Sequence, residues 1–258
     1  MYVGFFDDAA FRWQPDRHAN LDLARAEGAR IVRALVVWAR VAPVRPRRPA
    51  SPFDPAYRLD DVDELVRNAQ QRGMQVLLTI WGTPAWANGG NAPSVAPTSA
   101  SDLRDFAHAL AARFSGRYAS FPFVRFFSVW NEPNSGLFLS PQFDERGRPA
   151  APRTYAALVT AAYAGIKSAS PRALVAAGET APRGDDRHVS GIHDRESPLA
   201  FARLVAAADP RLPFDAWAHH PYPRTDLQPP GAAQPRPDVG LADLGELSSA
   251  LARWFHRT

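Results

Sequence analysis

Six short apolar runs, each followed by a helical pattern, constrain this chain more than any other feature. The runs cover 2–7, 30–38, 75–81, 124–130, 173–180 and 214–220. Most are almost continuous in aliphatic, β-branched or aromatic residues, as expected of parallel strands buried on both faces. Between them lie amphipathic stripes. Val62, Leu65, Val66 and Ala69 form one, behind an Asp61/Glu64 spacing that predicts a capping box, and Gly73 predicts the helix stop. Leu103, Phe106, Ala107, Leu110 and Phe114 share a second face. Tyr155, Leu158, Val159, Ala162, Tyr163 and Ile166 share a third, running from about Pro152 to Ser170-Pro171. Ser197-Pro198 predicts an N-cap with proline at the first helical position, ahead of Phe201, Leu204 and Val205. Leu244, Leu247, Leu251, Trp254 and Phe255 mark the last helix, and a weaker pattern covers 20–27. Strict strand–helix alternation implies a parallel α/β fold.

Length sets the scale of that fold. A chain of 258 residues supports one large core, and a closed (β/α)8 barrel takes about 250 residues. Only six strand–helix units are legible. The segments 39–60, 135–151, 181–197 and 223–240 are rich in Pro, Gly, Asp or Arg and contain no strand-like run. The expectation is one domain over 1–258, a TIM barrel with six βα units present and the last two missing at the C-terminus. Such a sheet would keep two open edges. The first residues, Met1-Tyr2-Val3-Gly4-Phe5-Phe6, lack a basic start and read as a strand rather than a signal peptide. No apolar run approaches the ~20 residues of a membrane helix.

Charge and cysteine usage exclude other classes. The net charge is +4, and Lys167 is the only lysine, so the basic balance comes from arginines spread through every segment. Arg45, Arg47 and Arg48 cluster among prolines, which predicts a stiff surface loop. Nucleic-acid binding calls for a dense basic stripe with interleaved aromatics, and none is present. The chain has no cysteine, which excludes disulfides and thiolate metal sites.

The fourth apolar run ends in Trp130-Asn131-Glu132-Pro133-Asn134. A carboxylate at the C-terminal end of a buried strand is a costly placement. Burial raises its pKa, which is what a general acid needs near neutral pH. The plain alternative is a helix N-cap region satisfying free amides. Arg33 lies inside the second run, where a guanidinium needs a carboxylate partner. A carboxylate outside the chain is one candidate, and Asp7 and Glu179 are the candidates within it. Trp38, Trp81, Trp86 and Trp130 all fall at or just past strand ends. Flat rings there suit a carbohydrate cleft, although any one of them could be core.

The Asn-Glu-Pro string in this setting resembles the acid/base motif of the clan of retaining glycoside hydrolases built on (β/α)8 barrels. Overall similarity is to the cellulase-like and xylosidase-like members, families 5 and 39. The resemblance implies hydrolysis of O-glycosidic bonds by double displacement, without metal or organic cofactor. It implies an oligosaccharide or glycoside as substrate, and a secreted or extracellular setting. By position it makes Glu132 the acid/base and Asn131 the amide that bonds the sugar 2-hydroxyl. It makes Arg33 the arginine that holds the nucleophile ionised, and His220-Pro221-Tyr222 the clan's His-x-Tyr pair, whose tyrosine bonds the nucleophile. The nucleophile belongs at the end of strand seven, expected beyond Thr258, so the 258 residues alone are expected to be inactive.

Glu179 is the only comparable glutamate at a strand end. It lies on the strand next to Glu132, so it reads as a substrate-binding residue or an arginine's partner rather than the nucleophile. His219 reads as a core histidine, and the same alternative stands for His220. Asp185, Asp186, His188, His193 and Asp194 share one loop but match no metal-ligand spacing, and they read as a solvated loop. Two rival readings follow: a carbohydrate-binding barrel without a nucleophile, and an unrelated parallel α/β enzyme. The latter would leave Arg33, Glu132 and Tyr222 far apart.

Overall fold

The structure is a computed structural model that describes residues 1–189 and 191–256. Six parallel strands form one sheet in chain order: β1 (Gly4–Phe6), β2 (Ile31–Val37), β3 (Gln75–Trp81), β4 (Phe126–Val129), β5 (Leu174–Thr180) and β6 (Ala216–His219). Every neighbouring pair is parallel. Helices intervene at α1 (Arg17–Ala26), α2 (Trp38–Val41), α3 (Asp60–Gln71), α4 (Ala100–Arg113), α5 (Ala151–Ala169), α6 (Pro198–Ala208) and α7 (Leu244–Trp254). This is the half-barrel of an α/β TIM-type fold, with six of eight βα units. Among the described residues β1 pairs only with β2, and β6 only with β5.

The core lies between the sheet and its helices. Val32, Val36, Leu78, Ile80, Phe127 and Val175 point outward from the strands and meet Leu103, Phe106, Leu158, Val159 and Phe201. All are buried, and each contributes about 1.5–3 kcal/mol by leaving water. The other strand face is unevenly covered. It is half-buried along β2, where buried and intermediate positions alternate, and β6 has no buried residue, whereas Thr79, Ser128 and Glu179 on β3, β4 and β5 are buried. The expectation of strands buried on both faces therefore fails at β2, at β6 and at β1, which is exposed throughout. The physical cause is the open barrel, which leaves the inward faces near its edges partly in water.

Helix ends follow the sequence signals with one exception. Gly73 adopts φ +70°, and Ser197 accepts a hydrogen bond from the Ala200 amide with Pro198 in the first turn. The capping box at Asp61 does not form. α3 begins one residue earlier, and Asp61 instead accepts from the Arg12 guanidinium and the Trp13 indole. Arg12 is nearly buried, so its charge needs that carboxylate more than the helix end does.

Candidate active site

Arg33 within β2, Thr79 in β3 and residues at or just past the C-terminal ends of β4, β5 and β6 bring six polar side chains into one hydrogen-bonded cluster. Arg33 in β2 donates through Nη2 to Oδ1 of Asn131 (2.8 Å) and Oε2 of Glu179 (2.7 Å), and through Nε to the Thr79 hydroxyl (2.9 Å). His220, just past β6, stands between two carboxylates. Its Nδ1 lies 2.9 Å from Oε1 of Glu132, and its Nε2 lies 2.9 Å from Oε2 of Glu179. The Phe6 ring lies under the Arg33 guanidinium at 4.6 Å. Tyr222 sits beside His220, with ring centroids 5.8 Å apart, and is half exposed.

The backbone is distorted to make this arrangement. Trp130, Glu132 and Glu179 all have positive φ, at 71°, 41° and 50°. Such conformations cost roughly 1–3 kcal/mol each in a non-glycine residue and concentrate at functional sites. In β5 the side chains alternate, with Val175 and Ala177 buried on the helix side. Period two would send Glu179 to that side as well. A register shift between Gly178 and Thr180 instead turns it into the barrel. Gly178 adopts φ +92°, and a Cβ there would lie 2.4 Å from the Ala218 carbonyl oxygen and 2.6 Å from the Trp217 ring. Only glycine fits the bend.

Two further contacts hold the strand ends. The Tyr155 hydroxyl donates to the Val129 carbonyl (3.0 Å) and accepts from the Gly178 amide (2.7 Å), tying β4 to β5 beside both glutamates. Asn134 bonds the Ala181 backbone in both directions and donates to the Glu196 carbonyl. Sequence reasoning missed the first, because Tyr155 reads as one more apolar position on a helix stripe. Burial pushes its phenol well above the ordinary range.

Electrostatics follow from the same contacts. Burial pushes the Glu179 carboxyl up, but the His220 hydrogen bond and the Arg33 charge outweigh it and hold it below the ordinary glutamate value. Burial pulls His220 down, but its bonds to Glu132 and Glu179 prevail, and it is raised above the ordinary histidine value. His219 bonds the Thr180 hydroxyl (2.8 Å) and the Val239 carbonyl (3.0 Å), and burial lowers it. It is the satisfied core histidine the sequence suggests.

Arg33, Asn131, Glu132, His220 and Tyr222 thus gather at one rim, and Glu179 joins them. One expectation is met and another corrected. Arg33 pairs with Glu179, which takes the arginine-partner place the sequence allowed it, and not with Asp7. Trp38 and Trp130 are fully buried and present no face to a ligand. Trp38 stacks on Phe106, and the Trp130 indole donates to the Phe138 carbonyl. Trp81 and Trp86 are partly buried, and their indoles donate to the carbonyls of Phe138 and Ala42. In the loop after β5, His188 pairs with Asp194 and Asp186 accepts from the amide and hydroxyl of Ser197. Among the described residues no group of three or more His, Asp or Glu side chains is arranged to hold a metal ion. Nor is any helix among them long and apolar enough to cross a membrane.

The sequence profile of Cellulase (glycosyl hydrolase family 5) matches residues 5–232, a span that contains β2 to β6 whole, all but the first residue of β1, and the whole cluster. The chain belongs to this cellulase family. Solved structures agree on the fold of this family 5 chain. A glucosidase from Croceicoccus marinus aligns with TM-score 0.58 at 16% identity, covering 84% of this chain and 43% of that one. The hyperthermophilic beta-glucosidase of Pyrococcus furiosus aligns with TM-score 0.50 at 17% identity, covering 65% and 44%. The chain therefore spans less than half the length of either structure. Among curated proteins, none matches the sequence.

Proposed function

We propose that this family 5 chain carries the acid/base half of a retaining glycoside hydrolase site. The observation that carries the reading is Glu132 at the rim, bonded to His220 and flanked by Asn131, which Arg33 holds in place. Glu132 would protonate the leaving-group oxygen and then deprotonate water. Asn131 would bond the sugar 2-hydroxyl, and Trp81 and Trp86 would offer ring faces to the sugar. The nucleophile would come from a seventh strand outside these 258 residues and would sit about 5–5.5 Å from Glu132. Glu179 is unsuited to that role, because it is 1% exposed and its Oε2 is already bonded to Arg33 and His220.

The test compares this chain with one extended through a seventh and eighth βα unit. The 258 residues alone should hydrolyse aryl glycosides negligibly, and the extended protein should turn over. In the extended protein, Glu132→Gln should slow substrates with poor leaving groups far more than activated aryl glycosides, which need little protonation. Equal losses on both would remove the acid/base role. One observation favours a second reading, a barrel that binds carbohydrate without cleaving it: Glu179, the other carboxylate of the cluster, is buried and already bonded to Arg33 and His220. Saccharide binding with no turnover by the extended protein would establish it.

A further inference from the structure

We propose that Glu179 is a positioning residue that fixes a proton on Nε2 of His220, making Nδ1 the atom that trades a proton with Glu132. The proposal rests on Glu132 being the acid/base. A neutral imidazole has one N–H, yet both nitrogens of His220 lie 2.9 Å from a carboxylate oxygen. The doubly protonated ring satisfies both. When the ring holds a single proton, one nitrogen lone pair must face a carboxylate. Glu179 is 1% exposed and cannot turn to water, whereas Glu132 is partly exposed and can. The single ring proton therefore stays on Nε2, against Glu179.

This arrangement has a chemical consequence. With Nε2–H held, the His220–Glu132 pair carries one further proton, on Nδ1 or on Oε1 of Glu132. Transfer breaks the N–H bond and forms an O–H bond, leaving the ring neutral and Glu132 an acid, with no exchange with solvent. Before the transfer Glu132 is a carboxylate beside an imidazolium, the form a general base needs.

The fold goes to some length to aim Glu179. Its carboxylate is buried, its φ is positive, and the preceding glycine admits no side chain. Arg33 from β2 and the Ser128 hydroxyl from β4 hold it as an anion. The other groups facing His220 are Arg33 in β2, Glu132 after β4, His219 in β6 and Tyr222 in the following loop. A residue serving only to neutralise Arg33 would not need an oxygen within 2.9 Å of His220 as well.

Two-bond proton–nitrogen correlation spectra of the 15N-labelled chain, recorded from acid to alkaline pH, test the proposal. A His220→Gln variant assigns the signals. In the wild-type chain the ring should lose a proton above the ordinary midpoint of 6.5 and keep Nε2–H when it does. An Nδ1–H tautomer, or a midpoint at or below 6.5, overturns the proposal without any variant. Glu179→Gln should lower the midpoint by about one pH unit or more and populate Nδ1–H; no change in either would also overturn it. Glu132→Gln should lower the midpoint but preserve Nε2–H. The spectra read the imidazole and not turnover. A failure here is thus distinguishable from failure of the glycosidase reading, which the leaving-group comparison decides.

Discussion

Arg33 and Glu179 meet at 2.7 Å although 146 positions separate them and two whole strands lie between β2 and β5. In a flat sheet, three strand spacings would hold their backbones about 14 Å apart. The sheet curves, so inward side chains converge and the pair closes over Thr79 and Ser128, whose hydroxyls lie 2.7 Å from each other.

Removing one partner of this pair should be costly. Arg33→Met leaves a buried carboxylate without its cation, and chemical denaturation should show a loss of about 3–5 kcal/mol. Arg33→Met with Glu179→Gln should recover part of that loss. A single-variant loss under about 1 kcal/mol would mean that water reaches the pair freely.

Two titrations in the cluster bound a stability window. Glu179 is lowered in the folded chain, so its contribution is present above the ordinary 4.5 and is lost as pH falls through the folded value below it. His220 is raised, so its contribution is full below 6.5 and is lost as pH rises through the folded value above it. The melting temperature of wild type relative to the double variant Glu179→Gln, His220→Gln should therefore be greatest between about pH 4.5 and 6.5. A difference that neither falls in more acid solution nor falls in more alkaline solution than that window would contradict the assignment.

Glu196 predicts a slope of its own. Both its carboxyl oxygens are buried without a hydrogen-bond partner, and burial, with Asp186 nearby, pushes it up to about 8. Between 4.5 and about 8 the folded chain holds a proton that the unfolded chain releases, so stability falls as pH rises through that window. Glu196→Gln should flatten the slope and stabilise the chain above pH 8, with little effect below 4.5. An unchanged slope would show that Glu196 finds a partner in solution.

Tyr155→Phe removes the hydroxyl that joins the Val129 carbonyl to the Gly178 amide. Leaving that buried amide unpaired should cost about 1–3 kcal/mol in urea unfolding. The His220 resonances should also shift, because Gly178 directs Glu179. A stability loss without any shift at His220 would confine Tyr155 to packing.

The open edges should be adhesive. β1 is exposed, and Tyr2, Val3, Phe5 and Phe6 are each about half in water. Size-exclusion chromatography should show association that rises with concentration and weakens when Phe5→Lys places a charge on the edge. A concentration-independent monomer would mean that the edge is protected.

The sequence by itself determined the strands, their parallel order and the place of Glu132. Those features are written in local patterns: unbroken apolar runs, helix stripes with caps, and a charged string at a strand end. Arg33 was legible too, because a guanidinium inside an apolar run demands a partner. Only the tertiary structure decided which partner it has. The bulge at Gly178 reverses the facing of Glu179, and a strict two-residue period would have sent that side chain to the helices. The fate of the tryptophans was equally non-local. Trp38 and Trp130 fall at strand ends like Trp81 and Trp86, yet α4 and the loop carrying Phe138 cover the first two completely. Burial depends on what packs from elsewhere in the chain, and curvature and bulges set distances between strands that no neighbour in sequence encodes.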